Sequence, residues 1–266
     1  MLAGCGSKNE TVTAKVIDID LTDEEYAFGV DKNQPELLEK TNEFIAKIKS
    51  DGTLDEICKK YFSDGEPEAV KSATLDTSKD QLVVATNAAF EPFEYMDGEN
   101  YVGIDMEIAK ALADKLGKEL VIQNMDFDAV CLSVGQHKCD VAMAGLTIKP
   151  DREEYVAFSD PYYSASQKLI TLSTDTEFDA CKTADDVNKI LEAKGSDLKI
   201  GFQNGTTGQF YCEGDDDWGF PGLKMESKGY KNGSLAVQDL LNGNINYVII
   251  DSAPAESITS SINKMQ

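Results

Sequence analysis

The chain is poor in the side chains that build metal and redox centres. Its one histidine, His137, sits in a Gly-Gln-His-Lys-Cys turn, and its six cysteines contain no Cys-x-x-Cys pair. Zinc sites need clustered thiolates and imidazoles and dithiol chemistry needs the paired motif, so no metal and no cofactor is expected. Most cysteines read as small buried side chains. Cys181 and Cys212, both beside loop-like sequence, are the pair placed to bridge in an oxidising exterior. Long hydrophobic runs are missing as well, and no stretch approaches the roughly 20 apolar residues that span a bilayer. Positive charge is scarce: 25 Lys and Arg against 48 Asp and Glu leave a net charge of -23. Such a field repels phosphate backbones and anionic headgroups, which argues against nucleic acid and for a small or cationic ligand.

What is present is enough for one large or two small domains: 266 residues, 41% of them hydrophobic. Residues 15–19 and 26–30 read as strands. Pro35 opens a helix with Leu37, Leu38, Thr41, Phe44, Ile45 and Ile48 at spacings of three and four, and Asp51-Gly52 stops it before a shorter helix over 54–62. Residues 65–80 turn to Gly, Pro, Ser, Thr and charge, the composition of a linker. Strands and helices then alternate from Leu82 to Asn263, which implies two α/β lobes, each a mostly parallel sheet flanked by helices.

Several segments resemble the polar amino-acid family of bacterial solute-binding proteins, the extracellular component of ABC importers. Thr86 to Tyr95 (TNAAFEPFEY) looks like the family's opening strand and ligand loop, and Gly103 to Ala109 (GIDMEIA) its first helix. Asp126-Phe127-Asp128, the run Asp140 to Ile148 (DVAMAGLTI), Arg152, Phe158 to Tyr163 (FSDPYY), Gly205 to Gly208 (GTTG) and Asp251 to Pro254 (DSAP) continue it. The family's closing motif resembles Asp51 to Phe62 (DGTLDEICKKYF), and its preceding strand and hinge resemble 15–26. Those pieces stand first in this chain. The resemblance therefore implies a two-lobed periplasmic-binding-protein-like fold of type II, circularly permuted, with the ligand between the lobes. Lobe one would be 25–64 plus 81–165 and lobe two 15–24 plus 166–266. Residues 65–80 would join the usual termini, a span of up to ~50 Å. Met1 to Cys5 (MLAGC) resembles the end of a lipoprotein signal, making Cys5 the lipidation site and 1–14 a tether on the outer face of a bacterial membrane or in the periplasm.

A free amino acid brings a carboxylate, an ammonium and a side chain, and its binder must satisfy both charges away from water. A guanidinium grips a carboxylate through two parallel hydrogen bonds, the role that the resemblance gives Arg152. It gives Asp251, at the end of the apolar strand 247–250, the ammonium. Thr147 and the Gly145 carbonyl assist there, and Thr206 and Thr207 bring backbone donors to the carboxylate. Phe90 and Phe127 become the pocket walls, while Asn87, Ala144 and Gln203 set specificity. Glu91 and Lys149 depart from the family's frequent proline and hydroxyl residue, and Glu91 is expected at the pocket mouth. No candidate lies in 15–64. The implied partners are a free polar amino acid and the permease subunits of the importer, with the protein a monomer and not an enzyme. A dehydratase of the cyclohexadienyl or arogenate type on the same scaffold, with Glu91 or Glu94 as base, and a ligand-sensing domain are the alternatives.

Overall fold

The computed structural model describes residues 11–63 and 65–265. Cys5 and most of the expected tether lie outside the described residues. The chain opens with β1 (Ala14–Ile17), β2 (Glu24–Tyr26), β3 (Gly29–Asp31), α1 (Pro35–Ser50) and α2 (Thr53–Phe62). Proline fixes the φ that a first helical position wants, so α1 starts on Pro35. It buries Leu37, Thr41, Phe44, Ile45 and Ile48 on one face and ends at Asp51. Gly52, at φ 84°, takes the left-handed conformation needed to turn directly into α2.

The next unit contains β4 (Gln81–Thr86), β5 (Ala89–Phe90), β6 (Glu94–Asp97), β7 (Asn100–Val102), α3 (Ile104–Leu116), β8 (Glu119–Asn124), α4 (Phe127–Gly135), β9 (Val141–Ala142), β10 (Val156–Phe158) and β11 (Tyr163–Ala165). The last comprises β12 (Gln167–Leu172), α5 (Ala184–Glu192), β13 (Lys199–Gln203), α6 (Thr207–Glu213), β14 (Glu226–Tyr230), α7 (Gly233–Leu241), β15 (Tyr247–Asp251) and α8 (Ser252–Lys264). Two five-stranded sheets form the two lobes, ordered β10-β3-β9-β4-β8 and β1-β12-β15-β13-β14. Strand β15 is buried along its whole length between β12 and β13, as its unbroken apolar run requires. The antiparallel pair β2–β11 joins neither sheet and lies where the chain passes between them.

Several expectations change. The sheets are mixed, not mostly parallel: β4 and β13 have parallel neighbours on both sides, whereas β3 and β12 have antiparallel ones. The antiparallel strands adjoin the crossings, where the chain enters one lobe from the other. The expected strand over 26–30 is two, β2 and β3, serving different sheets. Residues 65–80 follow the flank of lobe one: Val70 bridges to Tyr101, and the Ala73 amide donates to the Leu120 carbonyl at 2.8 Å. Cys181 and Cys212 are both free thiols. Cys212 is fully buried in an apolar cluster, and Cys181 is half-buried at the edge of the same cluster.

Candidate functional site

The two lobes meet along the loop after β9, the turn that starts α6 and the end of β15. Gly145 permits the first loop. Its φ is 53°, and a Cβ there would lie 2.9 Å from the Phe90 ring, so glycine is needed for both backbone and space. The loop presents Thr147 and then Arg152, which stands in a short 3-10 turn and is only 8% exposed. Arg152 Nη1 donates to the Thr147 carbonyl at 2.7 Å, while Nη2 donates across the cleft to the Gly205 carbonyl at 2.9 Å. Its guanidinium lies 5.3 Å from the centre of the Phe127 ring. One guanidinium thus spans both lobes beside an aromatic wall.

Opposite it, Thr206 and Thr207 form the start of α6, and Thr207 Oγ1 lies 3.4 Å from Thr147 Oγ1. Gln203 Nε2 donates to Asn87 Oδ1 at 3.1 Å, and Asn87 Nδ2 donates to the Met125 carbonyl at 2.7 Å. Gln203 Oε1 is buried without a partner. Lys149 makes a further contact between lobes, to Asp215 at 3.0 Å, besides Asp151 on its own lobe at 3.1 Å. The cleft is therefore closed, and a cavity of about 300 Å³ remains at its mouth, lined by Phe127, Leu146, Arg152, Gly205 and Phe210.

Asp251 ends β15, 4% exposed, and accepts from Tyr26 Oη at 2.6 Å. Burial, and then the neighbouring Glu24 carboxylate, push its pKa up to about 7. Glu24 is itself 2% exposed and held by three neutral donors, Thr22, Thr147 and Gln167. Glu94 and Asp105 are wholly buried nearby in lobe one. Asp105 accepts from the Gly145 amide and from Tyr162, yet burial still pushes it up to about 7. Glu94 is raised well above the usual carboxylate range by burial and by Asp105 and Asp251, and neither of its oxygens has a partner. Among the described residues no ion pair includes any of these four acids. Burial favours the protonated forms of Glu94, Asp105 and Asp251, and a cation entering the cleft would favour the ionised ones.

Of the residues singled out in the sequence, Arg152, Thr147, Gly145, Asp251, Thr206, Thr207, Asn87, Gln203, Phe90 and Phe127 converge on this cleft. Ala144 is packed in the apolar cluster with Val130 and Leu146. Glu91 lies elsewhere, lining a cavity of about 620 Å³ with Tyr61, Tyr163 and Glu256, so it is not at the mouth beside Arg152. His137 pairs with Asp31 at 2.9 Å, outside the cleft. Glu24, Tyr26 and Gln167, which the sequence did not single out, lie beside Asp251 and Thr147, the first two in the segment expected to supply no site residue. The legible signal was polar residues at the ends of strands.

The family model described as bacterial extracellular solute-binding proteins, family 3, matches residues 6–64 and 82–251. The arginine-binding extracellular protein ArtP of Bacillus subtilis (strain 168) is 29% identical over 202 residues, 70% of this chain and 75% of that protein. ABC transporter arginine-binding protein 1 of Escherichia coli (strain K12) is 32% identical over 66% of this chain, which spans 65% of that relative's length. Among solved structures, an ancestral arginine-binding protein bound to arginine superposes with a TM-score of 0.57 at 33% identity, covering 69% of this chain and 75% of that one. The ancestral amino acid-binding protein AncCDT-1, a precursor of cyclohexadienyl dehydratase, gives a TM-score of 0.54 at 27% identity over 80% and 78% of the two chains.

Proposed function

The chain belongs to the bacterial extracellular solute-binding proteins of family 3, and on that premise we propose that it captures a free polar L-amino acid for an ABC importer by closing its lobes. The observation that carries this reading is Arg152, a buried guanidinium reaching both lobes at a cleft whose other end is acidic. The arrangement complements a zwitterion. Arg152, with Thr206 and Thr207, takes the α-carboxylate in exchange for its contact with the Gly205 carbonyl. Asp251, Thr147 and the Gly145 carbonyl take the ammonium, and Phe90 and Phe127 enclose the side chain beside Asn87 and Gln203, with Ala144 behind them. The relatives named for arginine favour a basic side chain.

The permease subunits of the importer are the partners of the closed form. The protein works as a monomer on the outer face of the membrane or in the periplasm, anchored through Cys5. Circular permutation is supported by strand placement: 65–80 runs along lobe one, joining α2 to β4, where an unpermuted chain would have two ends. A chain reordered to begin at residue 81 and end at residue 64 should keep its ligand; failure to fold would count against the permutation.

The test is a thermal-shift screen with the twenty L-amino acids, because a ligand bound only by the folded state raises its stability. One chemical class should shift melting by several degrees, and Arg152→Ala should remove the shift. No shift with any amino acid would sink the reading. The similarity to a dehydratase precursor makes turnover of a prephenate-like acid the assay for a second reading, an enzyme on the same scaffold.

A further inference from the structure

The direction of the hydrogen bonds around Glu24 narrows what the cleft takes. A carboxylate only accepts, so each of its contacts consumes a donor. Thr22 Oγ1 donates to Glu24 Oε1 at 2.5 Å, Gln167 Nε2 to the same oxygen at 3.1 Å, and Thr147 Oγ1 to Oε2 at 2.8 Å. This fixes the Gln167 amide with its nitrogen toward the acids and leaves Oε1, fully buried, without a partner. It also commits the only hydroxyl proton of Thr147. Around Glu24 and Asp251, what these side chains have left to offer is acceptors, which suits a cation carrying several N–H donors.

We propose that Glu24 is a ligand-binding residue: from the hinge strand β2 it shares the ligand's α-ammonium with Asp251, while Thr147 Oγ1 supplies a further acceptor. The inference rests on the amino-acid-binding reading and adds a carboxylate from the segment between the lobes. It also couples capture to a proton. Asp251, facing Glu24 and Tyr26 on β2, Gln167 on β12 and the Glu94 carboxyl on β6, titrates at about 7 in the free protein. An arriving ammonium favours the ionised pair, so binding near pH 7 expels on the order of half a proton per ligand.

Isothermal titration in buffers of different ionisation enthalpy tests this, using L-arginine, L-histidine and L-glutamine and the des-amino carboxylate of whichever binds. Glu24→Gln should bind the amino acid at least about tenfold more weakly and release a smaller fraction of a proton, burial alone still raising Asp251, while the ligand-free melting temperature stays level or rises as the repulsion of Asp251 disappears. Glu24→Asp, which keeps the charge but withdraws it by one carbon, should retain proton release at intermediate affinity. An unchanged dissociation constant and proton release in Glu24→Gln overturns the proposal and leaves amino-acid binding standing. So does an equal loss of affinity for the des-amino carboxylate, which would mark Glu24 as merely structural. Absence of binding by the unsubstituted protein to any of the twenty amino acids removes the functional reading, and this proposal with it.

Discussion

Replacing Lys149 by methionine should open the cleft by removing a charged contact between the lobes. Lys149 leaves lobe one with its side chain 4% exposed and places Nζ 3.0 Å from Asp215 of lobe two and 4.5 Å from the centre of the Phe210 ring. Burial acts to lower its pKa, but Asp215 and Asp151 outweigh that and hold the ammonium charged. A charge-assisted hydrogen bond contributes about 1.5–3 kcal/mol and a cation over a ring about 0.5–2 kcal/mol, and desolvation offsets much of both. Asp151 keeps its pairing when the lobes separate, so only the contacts across the cleft favour closure. A net of about 1–2 kcal/mol follows, equivalent to a factor of about 5–30 in the closed population. Lys149→Met preserves the apolar stem and removes the charge. Calorimetry should show every ligand bound about 5–30 times more weakly in unchanged rank order. Asp215→Asn should reproduce the effect. A coupling below ~0.3 kcal/mol in the double-mutant cycle refutes the latch, since two groups that act on one another cannot be additive.

Acid should stabilise the ligand-free protein. Asp105 titrates at about 7 when folded and at about 3.9 when unfolded, so between those values the native state holds a proton that the unfolded chain has lost, and stability falls as pH rises from about 4 to 7. Asp105→Asn should flatten the fall in melting temperature between pH 5 and pH 8 by the equivalent of on the order of 2–4 kcal/mol; a parallel pH profile rejects the buried ionisation. Gly145→Ala forces a side chain into a left-handed backbone position and against the Phe90 ring. It should lower the urea-unfolding free energy by about 1–3 kcal/mol and weaken ligand binding, and an unaltered midpoint would show that the loop has slack.

What the sequence discloses is chemistry that is local. Asp251 closes an apolar run, so both its strand and its position at a lobe edge are visible in five residues. Helix α1 is equally plain, with a proline start, apolar residues at spacings of three and four, and a glycine turn at its end. Glu24 is not legible in this way, because its meaning depends on Gln167, 143 positions along the chain, and on Thr147, 123 positions along. Strand β14, Glu-Ser-Lys-Gly-Tyr, is an edge strand with mostly half-exposed residues, so it lacks the apolar alternation that marks a strand. Helix α6 begins inside Gly-Thr-Thr-Gly, a sequence that reads as a turn until the fold supports its first residues against β13 and β15. The division of 26–30 between two sheets was hidden for a related reason: β-propensity says a residue is extended, not which sheet it joins.

The position of Glu24 also orders the events of capture. Residues 14–31 put β1 at the edge of one sheet and β3 inside the other, with β2 between them paired to the return crossing β11. Closure of two bodies about paired crossings moves groups near the crossings least and those on distant loops most. Glu24 therefore stays near Asp251 throughout, because Gln167, which pairs with Asp251 in the sheet, also binds Glu24. Arg152 and Gly205, on loops of opposite lobes, are the groups whose separation must change. The ammonium end of the ligand is consequently held before closure, and the carboxylate end recruits Arg152 and α6 as the lobes meet. The decarboxylated amine of the bound amino acid should then bind weakly, expel a proton near pH 7 and leave the scattering profile of the free protein unchanged. Any compaction with the amine would place the trigger at the acidic end and refute this order.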